Sequence, residues 1–471
     1  MRVLFIYPDI TLYSRRYQQG VGYLSAVLKK AGHRTFLLHL QKDVSAKWLL
    51  GQVERFNPDL IAISTTTNQF PYARKCAGWI KTAHPTTPTI YGGVHPTLQP
   101  DEVISDPATD MVCIGEGEYP LLELVGRLES GKDILDIPGL WVKRDGQIYR
   151  NPRPPLLQDL DQLPFPDREV FDFPLILRRW SGVADFISGR GCPYNCTYCC
   201  SPSLRNLSAG LGKFIRRRSV VGVIAEIQQV VSHYKVKKIN FDDDTFTIDL
   251  NWIREFRQLY PREIGLPFNC NARVETLSRE MLTELKAAGG DILFIGVESG
   301  SEWLRQEVLQ RKMTNEQIVT AFATAHEMGL KTFAYNMVGL PLETPEMAEE
   351  TIALNRQINP TKIQITTFYP YPGTELYRLC QERGYLSPED KDSYFGEGSS
   401  LNLPTMSSRQ IIGYHRAMWD LKLRRELESR RLLRPIFAVL KLLMGERRAL
   451  RLGNLVRKRL PKLEWFLRGL D

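Results

Sequence analysis

The chain of 471 residues lacks any run of about 18 uninterrupted apolar residues, which argues against a membrane-spanning helix. Its first residues, MRVLFIYPDI, lack the charged region, long apolar stretch and small-residue cleavage site of a secretory signal, and they read as a strand. The expected location is therefore cytoplasmic. There is no internal repeat of about 20–50 residues and no low-complexity tract. At 43% hydrophobic, 24% charged and 10% aromatic residues, the composition excludes collagen-like, disordered and disulfide-scaffold proteins. The length suits roughly three domains. The body of the protein also lacks a charge imbalance. The net charge is +9, but residues 421–471 alone carry 15 Lys+Arg against 5 Asp+Glu, so the remainder is close to neutral. The basic character belongs to a tail.

Residues 1–137 alternate strand and helix signals. Val3–Tyr7, Thr35–Leu40, Leu60–Ser64, Thr89–Tyr91 and Met111–Ile114 are short β-rich runs, and Gly20–Gly32 and Tyr72–Ala83 have helical spacing. This alternation predicts an α/β domain with a doubly wound, Rossmann-like parallel sheet, whose ligand crevice lies beyond the carboxyl ends of the strands. The loops there are Ser64-Thr-Thr-Thr-Asn68, Gly92-Gly-Val-His-Pro96 and Gly115-Glu-Gly-Glu118. Glycine after a strand lets backbone approach a ligand closely. Residues 138–180 read as a hairpin around Asp145-Gly146 and then a proline-rich linker. Residues 181–390 form a second alternating series. Its strands are expected at Asp185–Ser188, Lys238–Phe241, Phe268–Arg273, Ile292–Val297, Lys331–Val338 and Lys362–Tyr369, which suggests a full or partial (β/α)6 barrel. Residues 391–471 look helical, and Ile411–Arg424 is expected to pack on the barrel mouth.

Eight cysteines occur, and four of them fall within Gly191-Cys-Pro-Tyr-Asn-Cys-Thr-Tyr-Cys-Cys200. In a reducing compartment such a cluster suggests metal binding before disulfides. Cys192, Cys196 and Cys199 have C-x3-C-x2-C spacing. Thiolates are the usual ligands of iron–sulfur clusters, and three on one tight loop can hold three irons of a [4Fe–4S] cube, leaving the fourth iron for an external ligand. The competing readings are a zinc knuckle, which needs a fourth Cys or His, and buried free thiols.

C-x3-C-x-aromatic-C after the first strand of a βα barrel resembles the radical S-adenosylmethionine (radical SAM) superfamily. The resemblance implies that Cys192, Cys196 and Cys199 ligate the cluster, that SAM chelates the free iron, and that one electron cleaves SAM to methionine and a 5′-deoxyadenosyl radical. Tyr198 then matches the aromatic residue beside adenine, with plain packing as the alternative. Cys200 has no role in the pattern. Phe241-Asp-Asp-Asp-Thr-Phe246 closes the second barrel strand, where the family often holds the SAM amino group through a glycine-rich motif. This chain departs from that motif, so Asp243 or Asp244 is the candidate, and a solvated loop cap the alternative. Arg273, at the end of the third strand, could pair with a carboxylate or phosphate. Glu298, in Gly296-Val-Glu-Ser-Gly-Ser301, resembles the SAM ribose ligand, with Ser299 assisting, and Gly339 opens a segment resembling the adenine-contacting backbone. Tyr369-Pro-Tyr-Pro-Gly373 is a turn motif of the same relatives.

The N-terminal sheet domain resembles the cobalamin-binding domain of the B12-dependent branch of that superfamily, through Gly20-Val-Gly-Tyr-Leu24 and the glycine loops, and the resemblance extends over residues 1–390. It implies cobalamin contacts at Ser64, Thr65, Thr66, Asn68, Gly92, Gly93, Val94, Gly115, Glu116 and Gly117. Many cobalamin proteins place D-x-H-x-x-G after the first strand. Here that loop reads Pro8-Asp-Ile-Thr-Leu12, so cobalamin is expected without a protein histidine on cobalt, and His95 is expected to be structural. A nucleotide-binding or vestigial sheet domain is the alternative.

The resemblance implies a C-methyltransferase, in which the radical activates an inert C–H bond and methylcobalamin delivers the methyl group. Oxidative ring formation or ring contraction is the alternative within the branch, and a non-catalytic cobalamin sensor the alternative outside it. A methylthiotransferase would need three further N-terminal cysteines, and only Cys76 and Cys113 are present. An electron donor such as flavodoxin or ferredoxin is implied. The basic, partly apolar segment 425–471, with Leu432–Met444, Arg447–Arg459 and Leu463–Leu470, suits either peripheral contact with an anionic membrane or a solvated helical subdomain. The membrane reading would fit a hydrophobic small-molecule substrate. Nucleic acid is disfavoured, since no RNA-binding module is present.

Overall fold

A computed structural model describes residues 1–10, 16–387, 398–429 and 433–445. Its first sheet has seven strands: β1 (Arg2–Pro8), β2 (Arg34–Leu40), β3 (Leu60–Ser64), β4 (Thr89–Gly92), β5 (Met111–Cys113), β6 (Leu140–Arg144) and β7 (Gln147–Arg150). The spatial order is β2-β1-β3-β4-β5-β6-β7. The first five strands are parallel, and β6 and β7 add an antiparallel hairpin. Its turn places Asp145 and Gly146 at φ 53° and 76°, the left-handed geometry that the Asp-Gly pair predicts. The helices are α1 (Gln19–Lys30), α2 (Ala46–Phe56), α3 (Phe70–Ala83), α4 (Val94–Leu98), α5 (Pro100–Ser105) and α6 (Glu118–Glu129).

Successive residues Val3, Leu4, Phe5 and Ile6 are all buried, as expected of a parallel strand covered on both faces. Leu4, Ile6, Ile61 and Ile63 pack against Leu49 and Val53 of α2 and Phe70, Ala73, Ala77 and Ile80 of α3. α1 begins where the Gln18 side chain accepts the Val21 N–H at 2.6 Å, and α2 where Ser45 accepts the Trp48 N–H at 3.3 Å. The order β2-β1-β3 puts the topological switch between β1 and β3, so the ligand crevice lies at their carboxyl ends.

Residues 151–180 form a packed strap. The prolines hold the backbone extended, while the side chains between them turn inward: Leu160, Leu163, Phe171 and Phe173 are buried. Arg168 is buried among the rings of Tyr17, Phe173 and Phe186 and donates to Glu226 at 2.8 Å. A helix that the linker reading missed, α7 (Phe173–Arg179), starts with the Asp172 side chain capping the Leu175 N–H.

The second series contains β8 (Val183–Phe186), a short antiparallel pair β9 (Gly189–Arg190) and β10 (Arg216–Arg217), β11 (Lys238–Phe241), β12 (Phe268–Ala272), β13 (Gly290–Glu298), β14 (Lys331–Val338) and β15 (Lys362–Thr367). The helices are α8 (Ser201–Leu207), α9 (Val220–His233), α10 (Leu250–Glu263), α11 (Arg279–Ala287), α12 (Asn315–Glu327), α13 (Pro345–Ile358), α14 (Glu375–Glu382), α15 (Ser408–Ser429) and α16 (Leu433–Met444). The second sheet runs β15-β14-β13-β12-β11-β8, with β15 and β8 as edges, so the barrel is partial. β8 stops at Phe186, two residues short of the predicted end, because the Ser188 N–H bonds the Asp243 carboxylate instead of a neighbouring strand.

The chain divides into two compact units. The first comprises residues 1–246, 254–268 and 370–379, and the second the described residues of 247–253, 269–369 and 380–471. In the second unit, Val338 of β14, Ile363 and Ile365 of β15, and Ile352 of α13 pack against Ile411, Met418 and Leu421 of α15. α15 thus covers the flank of β14 and β15 beside α13, and does not cap the barrel mouth as expected from the sequence. Ile411 lies near the carboxyl end of β14, against Gly339. α16 exposes Val439, Leu442 and Leu443 by 54%, 87% and 74%. Arg447–Arg459 and Leu463–Leu470 lie outside the described residues. Among the described residues no helix is long and apolar enough to cross a membrane.

Candidate functional site

The cysteine loop joins β9 to α8. Gly191 opens it at φ 89°, where a side chain would put Cβ 2.5 Å from the Phe214 carbonyl oxygen, so glycine is required. Cys192 and Cys196 are buried, and Cys199 is half-buried. The loop turns tightly enough for the Cys199 N–H to donate to the Cys196 carbonyl at 3.0 Å. Cys192 Sγ lies 3.8 Å from Thr245 Oγ1, and Cys199 Sγ accepts the Ser201 N–H at 3.4 Å. Arg205, which sequence reasoning passed over, braces the loop by donating to the carbonyls of Cys192 (3.3 Å) and Pro193 (2.7 Å). Segment 370–379 fastens it further: the Leu376 N–H donates to the Thr197 carbonyl at 2.9 Å, and Ser203 Oγ to the Gly373 carbonyl at 2.5 Å. Thus the Tyr369–Gly373 turn has a role, as part of the support of the cysteine loop. Among the described residues, no three His, Cys, Asp or Glu side chains converge as the ligands of one ion would.

The three aspartates after β11 have different surroundings. Asp243 is buried and accepts from Ser188 twice, from the backbone N–H at 3.0 Å and from Oγ at 2.6 Å. Asp244 presents its side chain to a cavity. Asp242 shares Asn240 with Asp185, and Asp185 in turn meets Arg16. Loss of hydration raises the pKa of all these carboxyls, Asp185 and Asp243 being buried. Asp185 drives Asp242 furthest up, and Asp243 adds to Asp244.

In the second unit Glu298 ends β13 at φ 67°, a left-handed conformation rare for glutamate, at a register shift in the ladder with β14. Its carboxylate lies 3.7 Å from Arg311, whose guanidinium also donates to the Gly296 carbonyl at 2.6 Å. A side chain at Gly296 would put Cβ 2.3 Å from Glu298 Oε1. Ser299 is fully buried, with its Oγ 3.3 Å from Thr351 Oγ1 and 3.2 Å from the Ser301 N–H. Its hydroxyl therefore organises the turn. Arg273 donates to Glu275 at 2.6 Å. Gly339 sits at φ 77° and donates its N–H to Glu343 Oε2 at 2.6 Å, as Leu340 does at 3.1 Å. Arg305 and Arg311, which brace this turn, were not singled out by the sequence, because an isolated arginine carries no pattern.

The first unit contains a cavity of about 440 Å³ in the crevice of the first sheet. Phe5, Ala62, Ile90 and Cys113 form one wall, from the face of the sheet turned away from α2 and α3, and Tyr23, Leu24 and Leu121 of α1 and α6 form another. Of the ten predicted cobalamin residues, Ser64, Gly92, Gly93, Val94, Gly115, Glu116 and Gly117 line it. Thr65, Thr66 and Asn68 do not. Thr65 is buried, donating its N–H to the Gly92 carbonyl, and the Thr66 side chain caps the short helix at Thr67–Gln69. Gly93 must be glycine, since at φ 105° a Cβ would lie 2.6 Å from the Thr65 carbonyl oxygen. The cavity is also lined by Ile187, Gly189, Arg190, Gly191, Leu204 and Asp244. The glycine loops of the sheet and the strand leading to Cys192 therefore border one space.

No histidine among the described residues lines this cavity. His95, on α4, is buried, its ring 4.3 Å from that of Phe70, and burial pushes its pKa down to about 4. His39 has Asp9 at 2.9 Å on one nitrogen and Gln41 at 3.1 Å on the other.

Residues 186–354 match the Radical SAM superfamily, and residues 10–125 match the B12 binding domain. The chain is a B12-binding radical SAM enzyme. It is 28% identical to an uncharacterized methyltransferase of Pyrococcus horikoshii, over 83% of this chain and 84% of the relative. It is 24% identical to cytidylyl-2-hydroxyethylphosphonate methyltransferase of Streptomyces wedmorensis, over 83% of each. It is 26% identical to the anaerobic magnesium-protoporphyrin IX monomethyl ester cyclase of Rubrivivax gelatinosus, over 80% of this chain and 70% of the relative. The fold matches the radical SAM methyltransferase TsrM of Kitasatospora setae with a TM-score of 0.70, at 17% identity and 89% coverage of each chain.

The cofactors of this B12-binding radical SAM enzyme are a [4Fe–4S] cluster, SAM and cobalamin. The residues present fit them. Three cysteines, the donor type that iron–sulfur clusters take, lie on one loop braced by Arg205. The crevice is lined by backbone at Gly115, where φ is 94° and a Cβ would meet nothing within 4 Å, so open space remains over the loop.

Proposed function

We propose that the protein is a cobalamin-dependent radical SAM C-methyltransferase that acts on an unactivated carbon of a hydrophobic small molecule. The observation that carries this reading is the shared cavity, bordered by the glycine loops of the first sheet and by the Gly189–Gly191 approach to Cys192. When bound, the cluster supplies the electron that cleaves SAM, and cobalamin carries the methyl group to be transferred. Cys192, Cys196 and Cys199 are the proposed cluster ligands, on a loop that Arg205 holds at the carbonyls of Cys192 and Pro193. Tyr198 is assigned to the adenine and Asp244 to the SAM amino group. The raised pKa of the Asp244 carboxyl favours a cation against it. Glu298 is assigned to the ribose hydroxyls, held by Arg311, and Gly339 to adenine through its backbone. Arg273, paired with Glu275, and Ser299, paired with Thr351, are assigned to holding their loops. The apolar walls from Phe5, Ala62 and Leu121 exclude water from the crevice. An electron donor such as flavodoxin or ferredoxin supplies the reducing equivalent. Peripheral contact with an anionic membrane is assigned to 425–471, on the exposed leucines of α16 and the basic sequence after it.

Anaerobic reconstitution with iron, sulfide and hydroxocobalamin, followed by reduction with SAM labelled on the methyl carbon, tests the reading. Methylation predicts label in the product. SAM cleavage with unlabelled, dehydrogenated product would favour the cyclase reading, which the Rubrivivax relative supports. Cobalamin binding without SAM cleavage would make the protein a sensor.

A further inference from the structure

A partly buried ion-pair ring joins the cobalamin-domain loop to the strand that enters the cysteine loop. Arg190 donates from one nitrogen to Glu116 Oε1 at 2.8 Å and from another to Glu118 Oε1 at 2.6 Å. The other oxygen of Glu116 accepts from Arg216 at 2.9 Å and from the Leu157 N–H at 3.2 Å. Arg216 is the ladder partner of Arg190 across β9 and β10, so the ring Arg190–Glu116–Arg216 closes on itself through backbone hydrogen bonds. The Arg190 guanidinium also lies 5.4 Å from the centre of the Tyr23 ring, on α1.

The arrangement is electrically stable. Burial would raise Glu116, but the Arg216 hydrogen bond and the two arginine charges hold its carboxyl below the usual range. Glu116 therefore stays ionised, and a planar guanidinium holding two carboxylates fixes direction as well as distance.

The ring has a position that a simple surface tie lacks. Glu116 stands between Gly115 and Gly117, and all three line the cavity together with Tyr23, Arg190 and Gly191. Cys192 follows Arg190 by two residues, and the one between, Gly191, is pressed against the Phe214 backbone. A displacement of the 115–118 loop is thus passed to the start of the cysteine loop through a rigid fork, with few soft torsions between.

We propose that Arg190 is a positioning residue that couples occupancy of the cobalamin crevice to the geometry of the cysteine loop, so that loading one cofactor site raises the affinity of the other. This rests on the proposed assignment of the two cofactor sites. Coupling of this kind is reciprocal, and ordinary values run from about fivefold upward.

The test is a linkage cycle on the full chain. The dissociation constant of hydroxocobalamin is read from its absorbance, with the iron–sulfur cluster reconstituted and with iron removed by chelation. The wild type is expected to bind hydroxocobalamin at least about fivefold tighter when the cluster is present. Arg190→Gln and Glu118→Gln are expected to bring that ratio close to one, and Arg190→Lys, which keeps charge without the planar fork, to restore part of it. A merely structural tie would lower both affinities and leave their ratio unchanged, and that result would overturn the proposal, as would a wild-type ratio of one. Glu118→Gln neutralises a single arm at constant shape and gives the reading should Arg190→Gln fail to fold. A wild type that takes up no cobalamin or no iron refutes the cofactor assignment itself, a failure distinct from loss of coupling.

Discussion

Asp243 accepts both the backbone N–H and the hydroxyl of Ser188, at 3.0 and 2.6 Å, and so joins the end of β11 to the end of β8. Asp244, the next residue, faces the cavity. Two neighbouring carboxylates that the sequence presents as equals thus have separate tasks. Asp243→Asn is expected to destabilise the fold, since the amide offers one acceptor where the carboxylate offers two. The cost for an unmet buried donor is about 1–3 kcal/mol. Asp244→Asn is expected to leave the melting temperature within a degree or two and to weaken SAM binding roughly tenfold or more, by removing a charge–charge contact. Melting curves and equilibrium SAM binding on both variants check this. Equal loss of stability in the two would contradict the division.

Cys199 and Cys200 are adjacent and hydrogen-bonded, and the Cys200 contact, with burial, holds the Cys199 thiol above its ordinary range. The assignment of the cluster to C-x3-C-x2-C nevertheless leaves Cys200 out. Cys192→Ala, Cys196→Ala and Cys199→Ala are each expected to lose most of the reconstituted iron, whereas Cys200→Ala is expected to retain it. Iron and sulfide content after anaerobic reconstitution, with the absorbance of the charge-transfer band, decides. Iron lost from Cys200→Ala alone would move the ligand set.

The cluster motif was legible because it is local: spacing within nine residues fixes which thiols share a loop. The first sheet was legible because its strands are buried on both faces and read as continuous apolar runs, Val3–Ile6 being one. What was not legible is what depends on pairing at a distance. Arg190 and Glu116 lie 74 residues apart, and neither carries a pattern that marks the other. The sequence pattern carries β8 past its true end because Ser188, a β-compatible residue, gives its N–H to a side chain 55 residues away. α15 was expected at the barrel mouth because amphipathic spacing reports that a helix face is buried and not which surface buries it. The sequence does not separate Thr65, Thr66 and Asn68 from Ser64 because they share one loop, whereas in the fold only Ser64 of the four borders the cavity.

No histidine follows β1, and His95 is buried with its pKa pushed down to about 4, so it is neutral near pH 7 and packed on Phe70. Cobalamin reduced to the Co(II) state in this protein is expected to show an electron paramagnetic resonance spectrum without nitrogen splitting from a protein ligand. His95→Gln is expected to leave that spectrum unchanged while lowering stability through lost packing, by about 1–3 kcal/mol. Nitrogen splitting that disappears in His95→Gln would show the opposite, that the ring reaches cobalt.

Val439, Leu442 and Leu443 are exposed on α16, on one face of the helix by its 3.6-residue period, and the sequence that follows is basic. Vesicles containing about a third phosphatidylglycerol are expected to sediment with the full chain at low salt, and phosphatidylcholine vesicles are not. The double variant Leu442→Glu, Leu443→Glu is expected to reduce binding at least fivefold with an unchanged melting curve, because these side chains are exposed in the fold. Loss of self-association in that variant, with vesicle binding intact, would assign the face to a second copy instead.

Glu343 is fully buried and accepts the N–H groups of Gly339 and Leu340 through Oε2. Burial pushes its pKa up from 4.5 to about 7, against the lowering effect of the two amides. A carboxyl whose pKa is higher in the folded chain binds its proton more tightly there than in the unfolded chain. Its contribution to stability is complete below about pH 4.5 and is lost as the pH rises through 7. The loss is on the order of 3 kcal/mol for a shift of this size. Glu343→Gln keeps an acceptor oxygen for both amides and cannot ionise. The variant is therefore expected to match the wild type near pH 4.5 and to melt at higher temperature than it at pH 8, the gap opening between those values. Parallel melting curves for the two proteins across this range would mean that the Glu343 carboxyl ionises at an ordinary pKa, with solvent reaching the turn at Gly339.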